Sequence, residues 1–397
     1  MNIWNECKRV PLPELLSFVV DNRGKTVPIN DSGTHKLIAT NCIRNENLYP
    51  SYEKIRYLSE ETYRTWFRAH PVPGDIIFVC KGTPGKTCMV PNPIDFCIAQ
   101  DMIAFRVNEN LIYNRYLLAI LRSREIQEQI TNTSVGDVIP HFKKQFLDQL
   151  LIPVPPMDIQ RKIGDLYFAI ALKEELNKKI NKNLQIQAQI IFNKYFIEPH
   201  NPHIGWTEGC LTDIADYLNG LAMQKFRPES DSNSLPVLKI KELRQGMCDS
   251  DSDRCSLEIK PEYIIHDGDV IFSWSGSLMV DFWCGGDCGL NQHLFKVSSD
   301  KYGKWFYYSW TLYHLQEFIR MAADRATTMG HIKRDALEKA RVLIPSHEDY
   351  IKIENLLQPL YDSIIIHRIA NRKLANICDT LLPKLMSGEL DVSILNL

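Results

Sequence analysis

Three short segments carry the residue types of catalytic or ligand-binding chemistry, and in each the spacing is wrong or incomplete. Gly82-Thr83-Pro84-Gly85-Lys86-Thr87 ends like a phosphate-cradling loop, but only two residues separate its glycines where four are required, and position 80 is Cys80. Glu258-Ile259-Lys260 has the acidic-x-Lys shape with which metal-dependent nucleases hold a cation and position water. Its upstream partner is missing, Pro228-Glu229 being the nearest approximation, and the first half of the chain has no equivalent. Cys284-Gly-Gly-Asp-Cys288, with His293 behind it, would suit a soft metal, yet no second cysteine pair lies at a finger-like distance. A glycine-rich turn for a methyl-donor cofactor, an Asn-Pro-Pro-aromatic segment and a Gly-x-Ser-x-Gly elbow are all lacking. The expectation is therefore no catalytic residue and no metal, with the glycine loop presenting Lys81 and Lys86 to a partner instead.

The bulk properties agree with a binding protein of ordinary make. At 397 residues the chain is long enough for two domains with connecting elements, and 45% hydrophobic with 24% charged content is that of a globular protein. The first residues, Met1 to Lys8, have no apolar core of a signal peptide, and no apolar run reaches the roughly 18 residues of a membrane span. Eleven scattered cysteines, an odd number in a chain of this size, read as reduced thiols, and a cytoplasmic location is expected. The net charge of −2 gives no overall basic footprint, so any cationic surface must be local or a partner must share the grip on phosphates.

The elements that would position such residues come as a repeat. Pro73-Gly74-Asp75-Ile76-Ile77-Phe78 returns as Asp267-Gly268-Asp269-Val270-Ile271-Phe272, a turn followed by an apolar strand. Lys81-Gly82-Thr83 corresponds to Ser275-Gly276-Ser277, and Ile98-Ala99-Gln100-Asp101 to Leu290-Asn291-Gln292-His293. Pro140-His141-Phe142-Lys143-Lys144 aligns with Gly330-His331-Ile332-Lys333-Arg334, and Leu151-Ile152-Pro153 with Leu343-Ile344-Pro345. Matches in one order at offsets confined to 190–194 make the chain a duplication. Each half opens with a strand-and-turn region, 10–107 and 206–297, and continues into a helix-compatible stretch, 113–130 and 302–321.

Each half then closes on a heptad run. Steps of four and three visit Ile159, Ile163, Leu166, Ile170, Lys173, Asn177, Ile180, Leu184, Gln187 and Ile191. The second run visits Ile353, Leu357, Leu360, Ile364, His367, Asn371, Leu374, Cys378, Leu381 and Leu385. Such spacing predicts two coiled-coil helices, each about 57 Å long for 38 residues, too long for one domain's core. The polar positions Lys173, Asn177, His367 and Asn371 near mid-helix predict an antiparallel pair, Lys173 beside Asn371 and Asn177 beside His367, as a register layer. A second stripe through Leu172 and Leu176 is the alternative inward face. Pro155-Pro156 marks the start of the first helix, and Pro383, a helix breaker, argues against a regular last turn of the second seam. The fold class is thus α+β, two mixed α/β domains in tandem separated by two long antiparallel helices. The boundaries are 1–153, 154–197, 198–345 and 346–390, with a tail of 391–397.

This organisation resembles the specificity subunit of type I restriction-modification enzymes. The resemblance rests on Gly74-Asp75-Ile76-Ile77-Phe78 and its second copy and on Leu151-Ile152-Pro153-Val154-Pro155-Pro156 followed by Gln160. It rests also on Asn219-Gly220-Leu221-Ala222-Met223-Gln224-Lys225 and on Leu381-Leu382-Pro383-Lys384-Leu385-Met386-Ser387-Gly388-Glu389-Leu390. The second junction departs from the pattern, since Ile344-Pro345-Ser346-His347 lacks the paired proline and the glutamine. The resemblance implies two target-recognition domains, each reading half of a bipartite asymmetric site in double-stranded DNA. It implies also that the helices set the half-site spacing and dock two modification (methyltransferase) subunits, with restriction subunits added in the full complex. S-adenosylmethionine, ATP and Mg would belong to those partners.

Base edges are read by donors and acceptors, whereas Lys and Arg on phosphates position the protein. The first-domain candidates are Arg23, Lys25, Asn41, Lys81, Thr83, Lys86, His141, Lys143 and Lys144. Those of the second are Gln224, Lys225, Arg227, Lys239, Lys241, Trp274, Ser275, Ser277, Arg325, Thr327, Thr328, His331, Lys333 and Arg334. Gln100 and Gln292, common to both copies, read as structural. The rival reading is a coiled-coil scaffold or dimerisation protein that binds no DNA.

Overall fold

The computed structural model describes residues 7–22, 24, 26–136, 140–198, 204–230, 233–324 and 334–390. It divides into two units, residues 1–176 with 374–397, and residues 177–373.

The first unit begins with β1 (Lys8–Pro11), β2 (Leu16–Val20), β3 (His35–Ile38), β4 (Arg56–Leu58) and α1 (Glu60–Thr65). There follow β5 (Ile76–Val79), β6 (Thr87–Met89), β7 (Phe96–Ile98), β8 (Met102–Val107), α2 (Asn114–Leu121), α3 (Arg124–Thr133), β9 (Leu151–Val154) and α4 (Met157–Phe192). One sheet has the order β2-β8-β5-β6, a second β4-β3-β7, and β1 pairs with β9. The run Ile76-Ile77-Phe78-Val79 is apolar throughout because both its faces are covered. Ile76 and Phe78 join Phe105, Tyr116 and Phe142 in the core shared with Ile163 and Tyr167 of α4. Ile77 and Val79 turn the other way, onto Ile38, Phe96 and Ile98 of the second sheet. Helix α4 can press this closely because residue 164 is glycine: a Cβ there would stand 2.6 Å from the Tyr116 nitrogen.

The second unit repeats the plan with β10 (Thr207–Cys210), α5 (Leu211–Ile214), β11 (Asp216–Asn219), β12 (Ser234–Leu238), α6 (Ile240–Gln245), β13 (Arg254–Ser256) and β14 (Ile264–Ile265). It continues with β15 (Val270–Ser273), β16 (Met279–Phe282), β17 (Cys288–Leu290), β18 (Leu294–Ser298), α7 (Lys304–Asp324), α8 (Arg334–Lys339), β19 (Arg341–Ile344) and α9 (His347–Ser387). Its sheets run β11-β18-β15-β16 and β13-β12-β17-β14, and β10 pairs with β19. Strand for strand this is the first unit with β14 added. The repeated Gly-Asp motif now has a cause. Gly74 (φ +89°) and Gly268 (φ +85°) occupy the left-handed region that the turn requires. The aspartate after each closes the turn by accepting from the backbone three residues earlier, Asp75 from the Val72 N–H and Asp269 from the His266 N–H, both at 2.9 Å.

The long helices are antiparallel, as two contacts in the second unit establish. Asn177 Nδ2 donates to Asn371 Oδ1 at 2.7 Å, and His367 Nδ1 lies 2.8 Å from Asn181 Oδ1. The expected pairing was one helical turn out of register: Asn177 meets Asn371 rather than His367, and Lys173 is exposed. The seam on α4 also drifts from the heptad, passing through Tyr167, Ala171, Asn177, Asn181, Ala188 and Phe192 while Ile180 and Gln187 are exposed. A straight helix turns 3.6 residues per turn rather than 3.5, and α4 packs on a domain as well as a helix, so its buried face rotates along the rod. The α9 seam keeps its expected positions better, with Ile353, Leu357, Ile364 and Leu385 buried. The last turn of the second seam does form past Pro383: α9 continues to Ser387, with Leu385 and Met386 held in the first unit's core.

Candidate nucleic-acid interface

In the first domain, the loops at one end of the four-stranded sheet gather most of the selected residues. The β5–β6 loop is stitched to the segment before β9: Gly82 N–H donates to Pro140 O at 2.9 Å, and Phe142 N–H to Cys80 O at 2.7 Å. Lys81 and His141 thus face each other as an antiparallel bridge. Cys80 N–H reaches Asp101 O at 2.7 Å, which brings the turn before β8 to the same place. Lys81, Thr83 and Lys143 are exposed and Lys86 half-buried. Lys144 Nζ is held 3.1 Å from Asp21, just beyond β2. Asn41, in the turn after β3, is exposed and donates to Glu53 O at 3.2 Å.

The corresponding end of the second domain carries different chemistry. Leu221 N–H donates to Leu290 O and Gln292 N–H to Leu221 O, both at 2.9 Å, which lays the segment of Gln224 and Lys225 beside the turn before β18. After β15, Trp274 Nε1 donates to Asn219 Oδ1 at 3.1 Å. Ser275 Oγ sits 3.1 Å from His293 Nδ1, and Gln292 Nε2 lies 3.4 Å from His293 Nε2. Ser275 is buried, whereas Ser277, Gln224, Lys225 and Arg227 are exposed. Lys239 and Lys241, following β12, are bound to Asp253 and Asp249 of one acidic turn, the latter at 3.3 Å. The Lys241 ammonium and the Ser252 hydroxyl outweigh desolvation and hold the Asp249 carboxyl below its usual range. Arg334 opens α8 and is exposed.

Arg23, Lys25, Arg325, Thr327, Thr328, His331 and Lys333 lie outside the described residues. Among the rest, Lys144, Lys239 and Lys241 are ion-paired side chains, not bare cations as their sequence positions suggested. Sequence reading passed over His293 and Asn219, which hold Ser275 and Trp274 in place. Their signal was present, since both fall in segments already singled out as repeat or family motifs. Gln292 is half-buried and Gln100 exposed. The Ser275–His293 pair is no hydrolytic dyad of the triad type, because the second imidazole nitrogen meets an amide and not a carboxylate. Among the described residues no group of three or more His, Cys, Asp or Glu is placed to hold a metal. No described helix is long and apolar enough to cross a membrane.

Each domain therefore ends in a rim of donors, acceptors and cations on a shared scaffold, and the rims differ between the copies. Residues 15–185 and 203–376, the two halves in turn, each match the family described as type I restriction modification DNA specificity domain. The chain belongs to this family. The specificity-subunit relatives include that of the type I restriction enzyme MjaIX of Methanocaldococcus jannaschii. It is 25% identical over 345 residues, covering 80% of this chain and 78% of the relative. The HindI specificity subunit of Haemophilus influenzae is 18% identical over 398 residues, covering 80% and 86%. The S subunit of the type I system of M. genitalium has the same fold, with a TM-score of 0.62, 13% identity and 95% of each chain covered. Within the family this chain is a target-recognition specificity subunit, and it is not a catalytic one.

Proposed function

We propose that each recognition domain reads one half of a bipartite, asymmetric site in double-stranded DNA, and that the long helices set the distance between the halves. The observation that carries this reading is the contrast between scaffold and rim. Two copies of one sheet topology present unlike side chains at the equivalent end: Lys81, Thr83, Lys86 and His141 in one, Gln224, Trp274, Ser277 and His293 in the other. A common frame with divergent donors and acceptors suits two readers of different sequences.

The helices also dock two modification subunits, which bring S-adenosylmethionine and the methyl transfer, while restriction subunits bring ATP and Mg chemistry. Exposed apolar side chains on the helices support such docking: Ile186 and Ile190 on α4 and Ile366 on α9 lie open. The complex works in the cytoplasm. Methylome sequencing of cells expressing this chain with its modification partner tests the reading. Exchange of residues 1–153 for those of a relative should change one half of a bipartite methylated motif and leave the other half alone. An unchanged methylome, with partner binding intact, would favour a scaffold that binds no DNA.

A further inference from the structure

In both halves an arginine ties the β-hairpin of the four-stranded sheet to that half's own long helix, and it comes from opposite sides of the joint. In the first unit it belongs to the domain. Arg122, at the end of α2, donates from Nε to Thr87 Oγ1 at 3.1 Å on β6, from Nη2 to Asn47 O at 2.7 Å, and from Nη1 to the Tyr167 hydroxyl of α4 at 2.8 Å.

In the second unit the arginines belong to the helix. Arg368 Nη1 of α9 donates to Asp281 Oδ1 at 2.7 Å and to Phe282 O at 3.3 Å, both on β16. One turn on, Arg372 engages both oxygens of Asp267, at 2.8 and 2.7 Å, and also reaches Cys284 O at 2.7 Å. Asp267 is aimed by the Gly286 N–H at 2.9 Å. The strand registers make Asp281 the counterpart of Cys88, since Ile271 faces Asp281 as Ile77 faces Cys88. The repeat offset makes Asp267 the counterpart of Pro73, and Arg368 and Arg372 those of Glu174 and Lys178. All four members of this clamp are absent together from the first copy.

The neighbours of these arginines on α9 face the other way. His367 and Asn371 hydrogen-bond Asn181 and Asn177 of α4, so one stretch of α9 grips the partner helix on one side and the recognition domain on the other. A guanidinium fork locked on a carboxylate fixes direction as well as distance, which a lysine point charge does not. The clamp adds direction to the apolar contact that Tyr361, Ile364 and Ile365 of α9 make with Phe282 and Tyr308, and it sits at the opposite end of the β15–β16 hairpin from Trp274 and the polar rim.

We propose that Arg368 and Arg372 are positioning residues that set the angle of the second recognition domain on α9, and through it the tolerance of the complex for half-site spacing. This rests on the DNA-reading function proposed above. The test uses the full chain with its modification partner and a plasmid library in which the native half-sites are separated by spacers from two base pairs shorter to two longer. Wild type should methylate essentially one spacer length. Combined Arg368→Gln and Arg372→Gln should leave both half-site sequences unchanged but raise methylation at neighbouring spacers about tenfold relative to the native one. Arg372→Lys, which keeps the charge and loses the fork, should shift the profile the same way to a smaller degree, and serves should the double variant not fold. A spacer profile identical to wild type in Arg372→Lys and in a folded double variant overturns the proposal, since a merely stabilising clamp lowers methylation at all spacers alike. Failure of wild type to methylate any bipartite site would instead defeat the DNA reading beneath it.

Discussion

Asn177 and Asn371, hydrogen-bonded side chain to side chain at 2.7 Å, are the same residue in the two copies of the repeat, 194 positions apart. Within the second unit the two antiparallel helices therefore meet at equivalent positions of the repeat. Asn177 is buried, and its Oδ1 has no hydrogen-bond partner among the described residues, so its Nδ2 bond to Asn371 offsets its burial. Asn371→Leu should cost about 1–3 kcal/mol, because a buried amide is left without its partner. Adding Asn177→Leu should recover most of that loss while weakening the preference for one register, a role polar residues hold in coiled coils. Urea unfolding reads the first effect and light scattering, through mixed oligomers, the second. A single variant as stable as wild type would leave the polar layer without energetic weight.

The clamp at Arg372 carries a pH signature. Burial alone would raise the Asp267 carboxyl, but the Arg372 guanidinium and the Gly286 N–H outweigh it and hold the group below the usual carboxylate range. A depressed carboxylate stabilises fully above its unfolded value, about 4, and loses that contribution as pH falls through the folded value. Asp267→Asn should therefore melt lower than wild type at pH 7, and the gap should narrow below about pH 4. Melting curves at pH 7, 5 and 3.5 would show it; a gap that does not change with pH would mean the carboxylate's charge contributes nothing.

Much of this was legible in the sequence because it is periodic or repeated. Gly74-Asp75 and Gly268-Asp269 gave away two equivalent turns, and the four-and-three spacing gave away two long helices. The helix pairing was not legible to better than a turn. A heptad pattern is nearly unchanged by a shift of four residues, and Lys173 is as polar as Asn181, the residue that binds His367. The candidate rim was legible through its cations and hydroxyls, but not its ion pairs. Lys239 with Asp253 and Lys144 with Asp21 join residues 14 and 123 positions apart, and the second pair forms only in three dimensions.

The thiols should separate sharply in reactivity. Burial pushes Cys88 and Cys284 up to about 11 and raises Cys288 far more, whereas a hydrogen bond with the Cys288 thiol lowers the half-buried Cys248. The thiolate is the reactive form. Brief alkylation of the folded chain at pH 8 should modify Cys248 well before Cys88, Cys284 or Cys288, as peptide mass spectrometry would report. Equal rates across these four would contradict the packing around β17.

The ion pairs also bear on how a chain of net charge −2 handles a polyanion. A cation that neutralises a phosphate releases a counterion and steepens the fall of affinity with salt, by about one in the logarithmic slope per contact. Exposed Lys81 and half-buried Lys86 have no ion-pair partner among the described residues, and Lys81→Gln and Lys86→Gln should each flatten the slope by about one. Lys239 and Lys241 must first leave Asp253 and Asp249, so each exchanges one charged partner for another, and Lys239→Gln should change the slope less. Asp253→Asn should do the reverse: with Lys239 released, affinity for DNA of any sequence should rise and its salt slope steepen. The acidic turn would then be a device that suppresses unspecific binding and leaves discrimination to Gln224, Trp274 and Ser277. Titration of specific and random duplexes across 50 to 200 mM salt separates these cases, and equal slopes for Lys81→Gln and Lys239→Gln would show that the carboxylates do not restrain their lysines.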